Sequence, residues 1–488
     1  MPLSAPKRAR FASCLTVGLT SLVALVCVAP LAQSAPSGWR HDGTGHYPGG
    51  APTTWSLETS DQVRWRTPLP AWANSSPVVI GERVFVTTEP ATLHALSTKD
   101  GRMLWQDSLE VIDALKGAEA KEARALIASA KIAEKRLKTL QRRQRTLSRK
   151  LRKPGAPEAR EALQGELAEL EAEQSTLRTT LDGAERFWVR PRGDTIGYAS
   201  ATPVADRERV YVLYGSGIVA AYSHSGERVW VRWLGPPHRP MRGNTHGHAA
   251  SPLLIGGQLI VALGTLQALN PETGGVVWRG GVYDDFGTPA AVTIGGTPAV
   301  ATPRGLVHRA SDGKLLADVD ANTVYIGPVE DERFVYWVGS TVVADATASK
   351  DYGTWAMAVS KRALSRGDAT PTWRVRVGTE AVYATPALHN GLLYIVDRSG
   401  RLTLLKTQDG ALSGPYDLPT GMASASPIIA GEFLYVVGED GRAVIGRAGR
   451  PFTFHANVQT EGGRATPTVH EGHLYLRSDQ SLISLGAP

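Results

Sequence analysis

The chain has 488 residues, with 51 Gly and 31 Pro beside 42% hydrophobic residues. That apolar share excludes wholesale disorder, and the dense Gly and Pro punctuation points to many short elements. The formal charge of +7 shrinks to +1 once the first 34 residues and residues 108–185, at +3 each, are set aside. A generally basic surface is therefore excluded. Two cysteines, Cys14 and Cys27, exclude a disulfide-dense scaffold.

Residues 1–34 read as an export signal. Lys7, Arg8 and Arg10 form a positive start, Leu15–Ala29 is apolar, and Ala32-Gln33-Ser34 offers small residues for cleavage before Ala35. The apolar stretch is shorter than the ~20 residues a membrane span needs. Ala24-Leu25-Val26-Cys27 lacks the small residue expected before a lipidated cysteine. Cleavage leaves a mature chain without cysteine, with no transmembrane segment, in the periplasm or secreted. Disulfides, thiolate metal sites and cysteine nucleophiles are thereby excluded.

A repeat follows. Ser76-Pro77 leads to Val84-Phe85-Val86, then Leu93–Leu96, a turn at Asp100-Gly101, and Trp105. The same order recurs from Thr202-Pro203 to Trp230 and from Ser251-Pro252 to Trp278. Thr288-Pro289, Gly327-Pro328, Thr385-Pro386, Ser426-Pro427 and Thr466-Pro467 open five more units. The prolines are spaced 126, 49, 37, 39, 58, 41 and 40 residues apart. A period near 40 with about four short strands per unit predicts propeller blades, eight in all. The last unit ends one strand short, at Ser481–Leu485, while Val63-Arg64-Trp65-Arg66 precedes the first unit unassigned. Pairing these two would close the ring and leave no free edge.

Residues 108–185 break the repeat and explain the spacing of 126. Ala133, Leu137, Leu140, Gln144, Leu147 and Leu151 follow a 4-3 spacing. It resumes at Leu163, Leu167, Leu170, Gln174, Leu177 and Leu181 after Pro154-Gly155-Ala156-Pro157. This predicts an antiparallel coiled-coil hairpin in which paired positions sum to 314, so that each Gln faces a Leu. Residues 131–153 carry 11 Lys and Arg against one acid, Glu134, and residues 154–185 carry two basic and eight acidic residues. Charge matching between the arms is expected, and without aromatic stacking residues no nucleic-acid partner is expected. Val111, Ile112, Leu115, Leu126 and Ile127 are expected to lean on the propeller flank or on a second subunit. The domain reading is 1–34 signal peptide, 35–107 leader, closing strand and first blade, 108–185 hairpin, and 186–488 blades two to eight.

Ala268-Leu269-Asn270-Pro271-Glu272-Thr273-Gly274-Gly275-Val276-Val277-Trp278, repeated closely at residues 95–105, resembles the tryptophan-docking motif of pyrroloquinoline-quinone (PQQ)-like propellers. Trp39-Arg40, Trp55-Ser56, Trp65 and Asn74-Ser75-Ser76-Pro77 resemble the leader of exported PQQ-like repeat proteins. The resemblance implies an all-β, eight-bladed propeller with Trp65, Trp105, Trp230, Trp278 and Trp373 as structural blade tryptophans. Functionally it implies two alternatives. One is a non-catalytic, monomeric scaffold without cofactor, akin to the propeller lipoprotein of the outer-membrane β-barrel assembly machine. The other is a quinoprotein-type oxidoreductase holding PQQ and calcium at the propeller mouth. The scaffold is the main reading, because the mature chain lacks the vicinal cysteines of those enzymes and no calcium ligands can be placed. Its partner is expected to be an envelope protein or acidic surface reached through the 108–185 hairpin.

Segments just upstream of each Ser/Thr-Pro should converge on one mouth of the channel. They nominate His246, His248, Asp284, Asp285, Tyr198, Tyr383 and Arg464 as ligand-binding candidates, with Asn74, Tyr325 and Met422 in the same segments. Two imidazoles and two carboxylates from adjacent blades could hold a metal or polar ligand, and a solvated loop rim is the alternative. No Gly-x-Ser-x-Gly, His-Glu-x-x-His or Walker motif occurs in a suitable context, so no catalytic residue is nominated.

Overall fold

The computed structural model describes residues 37–189, 195–235, 248–283, 285–343 and 351–487. The predicted signal peptide lies outside them. Short alternating strands form eight sheets, in each of which the strand that follows the Xaa-Pro anchor pairs antiparallel with the next strand of the chain. Blade 1 (Val78–Ser108), blade 2 (Val204–Trp233) and blades 4 to 6 (Ala290–Asp318, Val329–Gly378, Ala387–Asp417) have four strands each. Blade 3 (Leu253–Tyr283) has three, because Gln258–Leu269 runs as one long strand. In blade 7 the strand His46–Tyr47 adds in parallel to Ile428–Ala430. Blade 8 is completed as expected: Val63–Pro68 pairs antiparallel with Ser481–Leu485, placing Arg66 opposite Ile483.

Neighbouring blades are locked on the outside by tryptophan. At five of the blade junctions the indole N–H of one blade's last strand donates to a carbonyl in the next blade's final turn. Trp65 reaches Thr98 at 2.9 Å, Trp105 reaches His224 at 3.0 Å, and Trp230 reaches Pro271 at 2.8 Å. Trp278 bonds Ala310 at 2.8 Å and Trp373 bonds Thr407 at 3.0 Å. Each indole lies over a turn glycine. A Cβ on Gly274, which has φ +67°, would stand 2.6 Å from the Trp230 ring. Only glycine offers both the left-handed backbone and the missing carbon.

The insertion is a helical hairpin of α1 (Gly117–Leu151) and α2 (Pro157–Ala184), with proline at the start of α2 where its missing N–H costs nothing. Leu137, Leu140, Leu147, Leu170 and Leu181 are buried between the arms. The glutamines also bond across layers: Gln174 donates to the Gln144 amide oxygen at 3.0 Å, while the Gln144 amide donates to Glu171 at 3.1 Å and Gln174 accepts from Arg178. Before the paired region, Val111 and Ile127 are buried in the apolar core shared by blades 1 and 2, with Ile112, Leu115 and Leu126 packed against it. The root of the hairpin is therefore part of the propeller flank. No helix among the described residues is long and apolar enough to cross a membrane.

Candidate functional site at the channel mouth

The Ser/Thr before each proline does more than mark the repeat. The N–H of one such residue donates to the hydroxyl of the next around the axis. The bonds run Ser76 to Thr202 (2.9 Å), Thr202 to Ser251 (3.0 Å) and Ser251 to Thr288 (3.0 Å). They resume from Thr385 to Ser426 (3.0 Å), Ser426 to Thr466 (3.1 Å) and Thr466 back to Ser76 (3.1 Å). Gly327 has no hydroxyl to offer Thr288. A Cβ there would sit 2.0 Å from the Thr288 carbonyl oxygen, so close blade approach requires glycine and breaks the hydroxyl relay.

This ring lines a cavity of about 140 Å³. An aromatic ledge forms part of its wall: Phe286 stacks on Tyr325 at 5.6 Å, and Tyr383 meets Tyr325 edge-on at 5.0 Å. Tyr325 stays 39% exposed. Burial, then the neighbouring Tyr383, raises the Tyr325 phenol above its ordinary range. Beside the ledge, Arg398 points its guanidinium at the Tyr383 ring at 6.0 Å and reaches the exposed Met422 sulfur at 3.5 Å. On the opposite wall Arg464 pairs with Glu439 at 3.0 Å and donates to the Thr195 carbonyl at 3.2 Å. Asn74 donates to the same carbonyl at 2.8 Å.

Trp39 lines this cavity and also a second one of about 210 Å³ against the inner strands of blades 2 to 5. The leader holds it there by crossing the ring. Ser37 exchanges backbone bonds with Ala205 of blade 2 at 2.8 and 2.7 Å, and the Thr44 carbonyl accepts from Leu388 of blade 6 at 2.9 Å. Blades 2 and 6 face each other across an eight-membered ring. Between them Arg40, buried with φ +59°, donates to the carbonyls of Gly43 (3.1 Å), Thr44 (3.0 Å) and Pro386. Its desolvation lowers the guanidinium pKa to about 10.

The sequence candidates divide. Tyr383 and Arg464 line the mouth cavity. His248 and Asp285 are 3% and 2% exposed, and Asp285 accepts from Arg304 at 2.7 Å; the lining residues are instead their neighbours Ala249 and Phe286. Tyr198 stands outside the lining, and its backbone N–H, with that of Ala199, binds the Glu89 carboxylate at 2.6 Å. His246 and Asp284 lie outside the described residues. The residue-type argument passed over Trp39, Phe286 and the hydroxyl ring, although the Ser/Thr-Pro repeat already carried the last of these.

The described lining does not fit PQQ with calcium. Calcium takes six to eight oxygen ligands, carboxylates prominent among them. Among the described residues, no Asp or Glu lines the mouth cavity, and no three His, Cys, Asp or Glu side chains could hold a metal ion.

Among solved structures, the chain is similar to BamB from Moraxella catarrhalis at 12% identity. The match covers 86% of this chain and 98% of that one, with a TM-score of 0.49. A computationally designed protein, Ika8, matches at 7% identity over 87% of this chain and 100% of its own, TM-score 0.52, a likeness of fold alone. Quinohemoprotein alcohol dehydrogenase from Comamonas testosteroni matches at 10% identity over 92% of this chain and 80% of that one, TM-score 0.41. No curated protein matches in sequence. The family model described as outer membrane protein assembly factor BamB matches residues 44–142, 171–325 and 358–448, most of the chain. Its eight sheets, docking tryptophans and matched repeats make this chain a member of that PQQ-like propeller family.

Proposed function

We propose that the chain is an exported, non-catalytic propeller scaffold of the cell envelope, binding a partner polypeptide at the channel mouth and a second surface through its hairpin. The observation that carries this reading is the mouth itself. Its described lining is hydroxyls, an aromatic ledge and a paired arginine, with no carboxylate pair and no nucleophile–base arrangement. A part-exposed aromatic ledge beside an exposed methionine is the composition of a binding anchor. Below the mouth the leader crosses between blades 2 and 6, and Trp39 lines the cavity from that side, so a partner entering the mouth would meet the leader. Export and an envelope location are supported by the charged and apolar start of the sequence and by the family description.

The test is site-specific photocrosslinking in cells. A crosslinker at Met422 should give a discrete adduct that Tyr325→Ala weakens, while one at Leu412, exposed on the outer rim of blade 6, should not. No adduct at Met422, or equal adducts at both positions, would contradict a mouth-centred partner. Export is checked by fractionation, with the mature N-terminus expected at Ala35.

A further inference from the structure

The hairpin carries a charge pattern that neither the ring nor the arm pairing uses. Lys131, Lys135, Lys138, Arg142, Arg145 and Arg149 recur at alternating spacings of four and three, and Arg152 at the helix end continues the series. That spacing puts them on one face of α1. The buried residues Ala133, Leu137, Leu140 and Leu147 lie each two positions from a member of the series. At 3.6 residues per turn, two positions place the stripe about 160° around the helix from that seam. The stripe thus faces away from α2, and all seven side chains are exposed.

Charge matching between the arms leaves this face untouched. The interarm pairs are Arg136 with Glu173 at 2.7 Å and Arg143 with Glu166, both off the stripe. Of the seven, Lys138 alone reaches a carboxylate among the described residues, Glu134 at 3.5 Å. The stripe is also straight, running about 32 Å at 1.5 Å per residue.

We propose that this stripe lays α1 lengthwise on an anionic phospholipid surface, its ammonium and guanidinium groups binding headgroup phosphates. Three observations favour lipid. The hairpin contains no aromatic residue, so single-stranded nucleic acid has nothing on which to stack. A protein partner of comparable extent would need apolar anchors at its centre, and the stripe has none; Ile132, 72% exposed, lies at its root. A plane of phosphates meets a straight line of seven cations at once, whereas a duplex curves away from it. The proposal rests on the envelope location proposed above.

Flotation of the mature chain with vesicles tests it. Binding is expected to phosphatidylglycerol-containing vesicles and not to pure phosphatidylcholine, with loss at ~0.5 M salt. Each cation near an anionic surface contributes about fivefold, so the triple variant R142Q/R145Q/R149Q should bind roughly 100-fold more weakly. A control triple variant in the propeller, R309Q/R442Q/R447Q, should bind as the native chain does. Circular dichroism should show the native helix content in both. Absence of binding to anionic vesicles, equal binding by the two triple variants, or tighter binding to duplex DNA than to vesicles overturns the proposal. Because vesicles are supplied directly, such a result leaves the envelope location standing; failure of fractionation to find the protein there is a separate outcome.

Discussion

The backbone N–H of Thr466 donates to the Ser76 hydroxyl at 3.1 Å, joining two residues 390 positions apart. Ser76 in turn donates its own N–H to Thr202. One residue thus receives the last blade through its hydroxyl and hands the relay to the second through its backbone N–H. The outer sheet closes in parallel with it, through Val63–Pro68 on Ser481–Leu485. The propeller is fastened twice at one seam, once at the axis and once at the rim.

Removing the inner fastening should be costly. Ser76→Ala leaves the buried Thr466 N–H without its acceptor, a loss of about 1–3 kcal/mol. Gly327→Ala should cost more, because its Cβ meets a backbone carbonyl that cannot step aside. Urea denaturation of both variants checks the order.

The rim makes an internal comparison possible. Gly274→Ala forces a Cβ into the Trp230 ring at a left-handed backbone, while the adjacent Gly275→Ala meets only the Thr273 hydroxyl at 3.3 Å. Gly274→Ala should destabilise by about 2 kcal/mol or more, and Gly275→Ala by under about 1. Calorimetric midpoints of the two variants are the measurement.

Stability should fall on mild acidification. Burial, then the nearby Arg477 guanidinium, pushes the His94 imidazole down to about 4. Unfolded histidine titrates near ~6.5, so between these values the unfolded chain binds a proton that the folded chain refuses. The contribution is complete above about 6.5, is lost as pH falls, and is gone below about 4. His94→Gln should reduce the stability difference between pH 7 and pH 5 by about 2 kcal/mol in denaturation at the two pH values.

The leader is predicted to depend on Arg40. Replacing it by alanine strips three carbonyls of their shared donor and should expose residues 37–50 to protease while the blades remain folded. Limited proteolysis with mass mapping reads this directly.

The fold was legible because its signals are local and recur. Ser/Thr-Pro marks seven of the eight inner strands, with Gly327-Pro328 marking the other, the Gly-to-Trp spacing marks several outer turns, and the strand deficit of the last unit matches the excess before the first. The site was less so. His248 and Asp285 are adjacent in sequence to lining positions, yet both side chains are buried away from the cavity lining, so choosing the ionisable residue passed over Ala249 and Phe286. Trp39 lines the cavity from the leader, and no local pattern announces that a leader crosses a ring. In the hairpin, heptad arithmetic ignores the reach of an amide, and Gln174 bonds Gln144 across layers.

The central claim is that this propeller binds without catalysing, and dye-linked oxidation tests it most directly. Purified mature chain is incubated with PQQ and calcium, then offered alcohols and aldose sugars. No turnover above the rate of PQQ and calcium alone is expected. Sustained turnover that requires the protein, PQQ and calcium together would contradict it.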